Sequence, residues 1–304
     1  MLLTVLLFAL RHLHYRGLLM QTNGYYAKYK TAFLEKNNFD VLFLGSSRAE
    51  MHYDTRLFDS LTHSNSFNLG IAGASPNVAF MALTAYLAKS KAPAHVIYEV
   101  DYHALRHKSE LKDFGNFFPF LSDPVFREQM SRVEPRTNHF YYNPYFSLPF
   151  TGIKNLSTSL HGWLNIANKT DSLYYKGFFR DAIRPALVYV PNKKQTVTFD
   201  PKQRAYYDSI IATCRKHKIQ LTMVSSPVFA GGKIELDNKD EVVAEVSKIA
   251  VGSHIRYFDL SSLSFCNNRQ LFADHFHLRY NGARKFTWYM AWVFNNKIAI
   301  NTLN

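Results

Sequence analysis

A chain of 304 residues with 47% hydrophobic and 19% charged residues holds ample material for a core, which excludes global disorder and suits a single α/β domain carrying an insertion. Its formal net charge of +13 is scattered along the chain without an RNA-binding signature or zinc-finger spacing, so nucleic acid is not the expected partner. Cys214 and Cys266 are too few for a disulfide framework and form no C-x-x-C pair; Cys214, within SIIATCRKHK, reads as a small core residue.

The chain opens with MLLTVLLFAL, in which nine of ten residues are apolar, and Arg11, His12, His14 and Arg16 follow. A bilayer-crossing helix needs about 20 apolar residues, so the run is too short as it stands. It also lacks the basic leader and small-residue cleavage site of a secretory signal. Two readings remain: the end of a membrane anchor that begins upstream, or a hydrophobic helix packed on the domain. The anchor is the expectation, with residues 1–24 attaching the chain to a membrane, the basic residues at an anionic surface, and residues 25–304 forming the domain.

VLFLG (41–45) is a short apolar run bounded by polar residues, as in a strand buried on both faces. Residues 55–63 suit a short helix, and SFNLG (66–70) a second strand. Pro76 opens a helix through NVAFMALTAYLAKS, and HVIYEV (95–100) is a third strand. This rhythm predicts a parallel sheet with crossover helices. It breaks after Asp101, where residues 104–200 carry many aromatics and prolines without a clean period and read as an insertion covering one end of the sheet. It returns with a helix across QRAYYDSIIATCRKHK, a strand in LTMVS, a helix near DEVVAEVSKIA, a strand in IRYFDL and a last helix from about Asn281. Ligands of such sheets sit beyond the carboxyl ends of the strands, where Ser46, Ser47, Gly73 and Asp101 emerge.

Two short stretches carry the chemistry. GSSR follows the first strand, and FADHFHLRYNGARKF (272–286) places Asp274 three residues before His277. A serine nucleophile needs a base to take its proton, and the base needs a carboxylate to fix its tautomer and stabilise the imidazolium. Ser47, His277 and Asp274 supply those three groups. His275 and His277 also form an H-x-H, but no third ligand stands at suggestive spacing, so no metal site is expected.

GSSR, NLGIAGAS after the second strand, and DHFHL together resemble blocks one, two and five of the SGNH (GDSL-like) hydrolase superfamily. The resemblance covers residues 39–103 and 201–290 and implies a flavodoxin-like three-layer α/β/α sandwich with a parallel sheet and an aromatic-rich insertion. It implies Ser47 as nucleophile with Ser46 beside it, Asp274 and His277 as its partners, and an oxyanion hole from the amides of Ser47 and Gly73. No cofactor is implied. The family's third block carries an asparagine that donates to the oxyanion, whereas here the third strand ends in EVDYH, which leaves Tyr102, His103 or a group of the insertion to replace it. A missing donor costs about 100- to 1,000-fold in rate. Arg48 and His103 are candidates for substrate contact, with pairing of Arg48 to Glu50 or Asp54 as the plainer alternative for that residue. The variant blocks and hydrophobic N-terminus are more similar to the membrane-attached envelope branch of the superfamily. The implied function is a serine esterase or O-acyltransferase acting on acyl esters of a cell-envelope glycan or glycolipid, with a membrane-bound O-acyltransferase as candidate partner. The alternative is a noncatalytic glycan-binding or assembly subunit that keeps the fold. The insertion, with aromatics as in NHFYYNPYF, is expected to pass near Ser47 and line its pocket.

Overall fold

The computed structural model describes residues 2–105, 111, 113–151, 154–166, 173–180, 196–230 and 237–296, with the side chains of His103, Ala104 and Lys154 outside the description. In chain order they form α1 (Leu2–Leu19), α2 (Gly24–Phe33), β1 (Val41–Leu44), α3 (Ser47–His52), α4 (Thr55–Thr62), β2 (Ser66–Asn68), α5 (Pro76–Leu87) and β3 (His95–Glu99). Then come α6 (Pro124–Val133), α7 (Thr137–Tyr142), α8 (Pro144–Thr151), α9 (Lys154–Trp163), α10 (Pro201–Lys216), β4 (Gln220–Ser225), α11 (Lys239–Gly252), β5 (Arg256–Asp259) and α12 (Tyr280–Asn295). Contacts group the chain into two compact units: a helical unit of residues 1–37, 84–91 and 110–174, and a sheet unit of residues 38–83, 92–109 and 175–304.

The sheet unit is a mixed α/β structure with a five-stranded parallel sheet in the order β2-β1-β3-β4-β5, flanked by helices as a three-layer α/β/α sandwich. That order, 2-1-3-4-5, is the doubly wound one whose ligand crevice lies between the first and third strands. Alternation along the strands divides the core into two faces. Val41, Phe43, Ile97, Val224 and Phe258 pack with Phe58 of α4 and Phe286, Met290 and Val293 of α12. Tyr98 points the other way and meets Tyr207 of α10 with ring centroids 5.5 Å apart. Nearly every β1–β3 residue is buried, which is why these strands read as continuous apolar runs instead of alternating ones.

The helical unit is held by aromatic packing. Phe33 of α2 stacks on Phe126 of α6 at 4.7 Å, and Tyr29 stacks on Phe117 at 5.0 Å. NHFYYNPYF forms α7 and the start of α8, where Phe140 packs 4.9 Å from Phe150. Residues 124–163 showed no clean period because their helices are short and aromatic on several faces, and because proline interrupts them, as Pro149 does inside α8.

The expected N-terminal membrane anchor is corrected here. Among the described residues no helix is long and apolar enough to cross a membrane. α1 spans 18 residues, but its second half carries Arg11, His12, His14 and Arg16 and packs against α9 through the buried His14, Gly17 and Leu18, while Leu2, Leu3, Val5 and Leu6 stay exposed. Ser159 Oγ of α9 donates to the His14 carbonyl at 2.9 Å, Trp163 Nε1 donates to the Leu13 carbonyl at 3.1 Å, and Gln21 Nε2 donates to the Thr158 carbonyl at 2.6 Å. The two helices touch through glycines: a Cβ at Gly162 would lie 1.8 Å from the Gly17 carbonyl oxygen.

Candidate active site

The chain leaves β1 through Gly45, whose φ of +142° lies in the range that side chains disfavour, and a Cβ there would lie 2.8 Å from the Glu99 carbonyl oxygen. This turn starts α3 at once. Ser46 is its N-cap: its Oγ accepts from the Arg48 amide at 3.2 Å and donates to Asp101 Oδ2 at 3.3 Å. Ser47 is the first helical residue and half-buried.

Asp274 and His277 meet because the loop between β5 and α12 turns tightly. Asp274 Oδ1 accepts from the amides of Phe276 and His277, both at 2.9 Å, and the Ala273 amide donates to the His277 carbonyl at 2.8 Å. The three-residue spacing thus folds the carboxylate back onto the imidazole. His277 Nδ1 lies 2.8 Å from both carboxylate oxygens, and His277 Nε2 lies 2.8 Å from Ser47 Oγ. Burial raises the Asp274 carboxyl, but the hydrogen bond and charge of His277 and the two amides outweigh it and hold it below the usual carboxylate range. An ionised Asp274 requires the proton on Nδ1, which leaves Nε2 to accept the Ser47 hydroxyl.

The other nominated residues are placed differently. Gly73 adopts φ +73° in a loop tied to the β1 exit by the Ile71 amide, which donates to the Gly45 carbonyl at 2.9 Å. Arg48 is 1% exposed, so the expected substrate contact is replaced by an internal role. Its Nη2 donates to the Ser226 carbonyl and to Ser226 Oγ at 3.0 Å and forms an ion pair with Glu99 Oε1 at 3.3 Å, so its carboxylate comes from β3 and not from Glu50 or Asp54. Burial lowers the Arg48 guanidinium, and the charges of Glu99 and Asp101 more than offset this and keep it protonated. The Tyr102 hydroxyl donates to Asp259 Oδ1 at 2.8 Å and is buried, so it is committed elsewhere than an oxyanion. His103 stands in the short turn Tyr102–Leu105 with its side chain outside the described residues.

A second layer was not read from the sequence. His52, at the end of α3, accepts from the Leu278 amide through Nε2 at 3.0 Å, so its proton sits on Nδ1, which donates to Ser226 Oγ at 2.6 Å. Ser226 Oγ donates in turn to Glu99 Oε1 at 2.7 Å, and Glu99 Oε2 accepts from Tyr53 at 2.8 Å. Burial, then the Arg48 charge, then His277 hold His52 well below the ordinary histidine range, so it is neutral. Its amide contact is to the residue next to His277, which ties the helix bearing Ser47 to the loop bearing His277. Glu99 inside an apolar strand was the one legible signal, because a buried acid requires a partner; His52 and Ser226 gave none.

No protein-family model matches the chain, and no curated protein matches it. Among solved structures it is similar to a Bacteroides fragilis protein provisionally described as an acylhydrolase, with 12% identity over 90% of this chain and 95% of that one and a TM-score of 0.43.

Proposed function

We propose that this chain is a serine esterase or O-acyltransferase of the SGNH type, acting on acyl esters of a glycan or glycolipid. The observation that carries the reading is the unbroken run of contacts from Asp274 to His277 Nδ1 and from His277 Nε2 to Ser47 Oγ, each at 2.8 Å. Ser47 Oγ attacks the ester carbonyl as His277 Nε2 takes its proton, and the amides of Ser47 and Gly73 are the donors assigned to the oxyanion. The tetrahedral species collapses when His277 returns that proton to the departing alcohol, leaving the acyl group on Ser47. A second nucleophile, water or a sugar hydroxyl, gives its proton to His277 and takes the acyl group, and as the acyl–Oγ bond breaks His277 returns that proton to Ser47 Oγ, with hydrolysis or transfer as the result. Asp274 holds the tautomer and the imidazolium without itself being protonated.

The test is turnover of p-nitrophenyl acetate together with labelling by a fluorophosphonate, which marks an activated serine. Labelling at Ser47 that is lost in Ser47→Ala is the expected result. The alternative, a noncatalytic glycan-binding subunit, draws on the third strand exit, where Glu99 is paired with Arg48 and the Tyr102 hydroxyl is committed to Asp259. Glycan binding without labelling or turnover would establish that alternative.

A further inference from the structure

The helical unit contains a cavity of about 430 Å³, a size usual for small-molecule sites. One wall is a single face of α1, where Phe8, Arg11, His12, Tyr15, Arg16 and Leu19 recur at three- and four-residue spacing. The facing wall is built by Phe118, Pro119, Leu121 and Ser122 with Phe140 and Tyr141. The lining combines rings, aliphatic side chains and cations, with no Asp or Glu among the described residues.

Arg11 is the informative residue. Its Nη1 donates to the Tyr141 carbonyl at 2.6 Å, and more weakly to Ser147 Oγ at 3.4 Å and the Phe140 carbonyl at 3.5 Å. Its Nε and Nη2 make no hydrogen bond among the described residues. The guanidinium carbon lies 4.8 Å from the Phe8 ring centroid and 5.7 Å from that of Tyr141. Every one of these partners is neutral. Burial lowers the Arg11 guanidinium, and among the described residues Tyr15 and Tyr141, not a carboxylate, oppose it. A partly buried cation held by carbonyls and ring faces has lost hydration without gaining a counter-ion, and an anion arriving beside it restores the balance. The Nε and Nη2 edge of a guanidinium matches the two oxygens of a carboxylate. Arg16, 5.6 Å from the Trp163 ring centroid, adds a second positive charge on the same helix face.

We propose that this cavity binds an organic carboxylate whose apolar body lies among the rings while its head pairs with Arg11. The proposal goes beyond the acyl-transfer reading and does not depend on it. The full chain is titrated calorimetrically with sodium octanoate, and with octanol, octyl phosphate and acetate for comparison. Octanoate should saturate at one per chain, acetate should show no saturable binding, and octanol should bind about tenfold or more weaker, the cost of losing a charge-assisted pair. Arg11→Gln should weaken octanoate by a similar factor, and Leu19→Trp, which fills the cavity, should abolish binding. Because Arg11 also ties down two carbonyls, Arg16→Gln serves as a second variant at an exposed residue of the cavity lining, and it should weaken octanoate with an unchanged circular dichroism spectrum. Equal affinities for octanoate and octanol, or wild-type affinity in both Leu19→Trp and Arg16→Gln, overturn the proposal. Tighter binding of octyl phosphate overturns the carboxylate assignment in favour of a phosphate monoester. Ser47→Ala should bind octanoate like the wild type, and loss of binding there would place the carboxylate at the triad and overturn the separate site.

Discussion

Ser46 and Ser47 are adjacent serines with unlike surroundings, and the difference is chemical. Ser46 Oγ caps α3 and donates to Asp101, so its hydroxyl is committed, whereas Ser47 Oγ faces His277 Nε2 at 2.8 Å. Ser47→Ala should lower p-nitrophenyl acetate turnover by about 1,000- to 10,000-fold with the melting temperature unchanged. Ser46→Ala should instead cost about 1 kcal/mol of stability, the usual value of an N-cap, with a far smaller loss of turnover. Equal mild losses in both would remove Ser47 from the nucleophile's role. Gly45 makes a third case at this scale. With φ at +142° and the Glu99 carbonyl 2.8 Å from any Cβ, Gly45→Ala should destabilise the sheet unit by at least about 1–3 kcal/mol, measured by urea denaturation.

At the scale of elements, α3 and the loop before α12 are joined through His52. Gln at that position can offer an amide oxygen to the Leu278 amide, whereas Phe keeps the bulk and offers nothing. His52→Phe should lower kcat on p-nitrophenyl acetate by up to about 100-fold through misplacement of His277, with KM little changed, and His52→Gln should recover most of it. A merely space-filling His52 would make the two variants alike. The same residue predicts a pH effect on stability. Its folded pKa is depressed below the ordinary 6.5, so as pH falls below about 6.5 the unfolded chain binds a proton that the folded chain refuses. Stability is therefore lost toward acid, at up to about 1.4 kcal/mol per pH unit for this one group. Urea denaturation at pH 7.0 and 5.5 should show a smaller acid loss in His52→Gln than in the wild type, and an identical loss would mean that His52 is not held neutral.

For the molecule as a whole, the notable feature is that the helical unit is discontinuous, drawn from residues 1–37, 84–91 and 110–174. Its aromatic core joins segments far apart in the chain, as Phe33, fully buried in α2, does by stacking on Phe126 of α6 at 4.7 Å. Neither segment closes that core alone. Phe33→Ala should cost about 3–5 kcal/mol, and hydrogen exchange should show protection falling in α6 as well as in α2. Loss confined to α2 would mean that the two segments are stable independently.

Much of the sheet unit was legible because its strands are short, apolar and bounded by turns, and because proline and polar caps mark where helices begin. Asp274 and His277 were legible too, since three-residue spacing allows a carboxylate to cap its own loop and reach the imidazole. What the sequence determined by itself was therefore local: strand period, helix starts and the Asp274–His277 spacing. Only the tertiary structure decided that His277 lies 2.8 Å from Ser47, 230 residues away in the chain, that Arg48 pairs with Glu99 instead of Glu50 or Asp54, and that His52 meets Ser226. The N-terminal helix shows the same division: its hydrophobicity was plain, but its second half packs against α9 because two glycines separated by 145 positions let their backbones touch. Periodicity records which way each residue faces along its own segment, and carries no information about which distant segment will cover it.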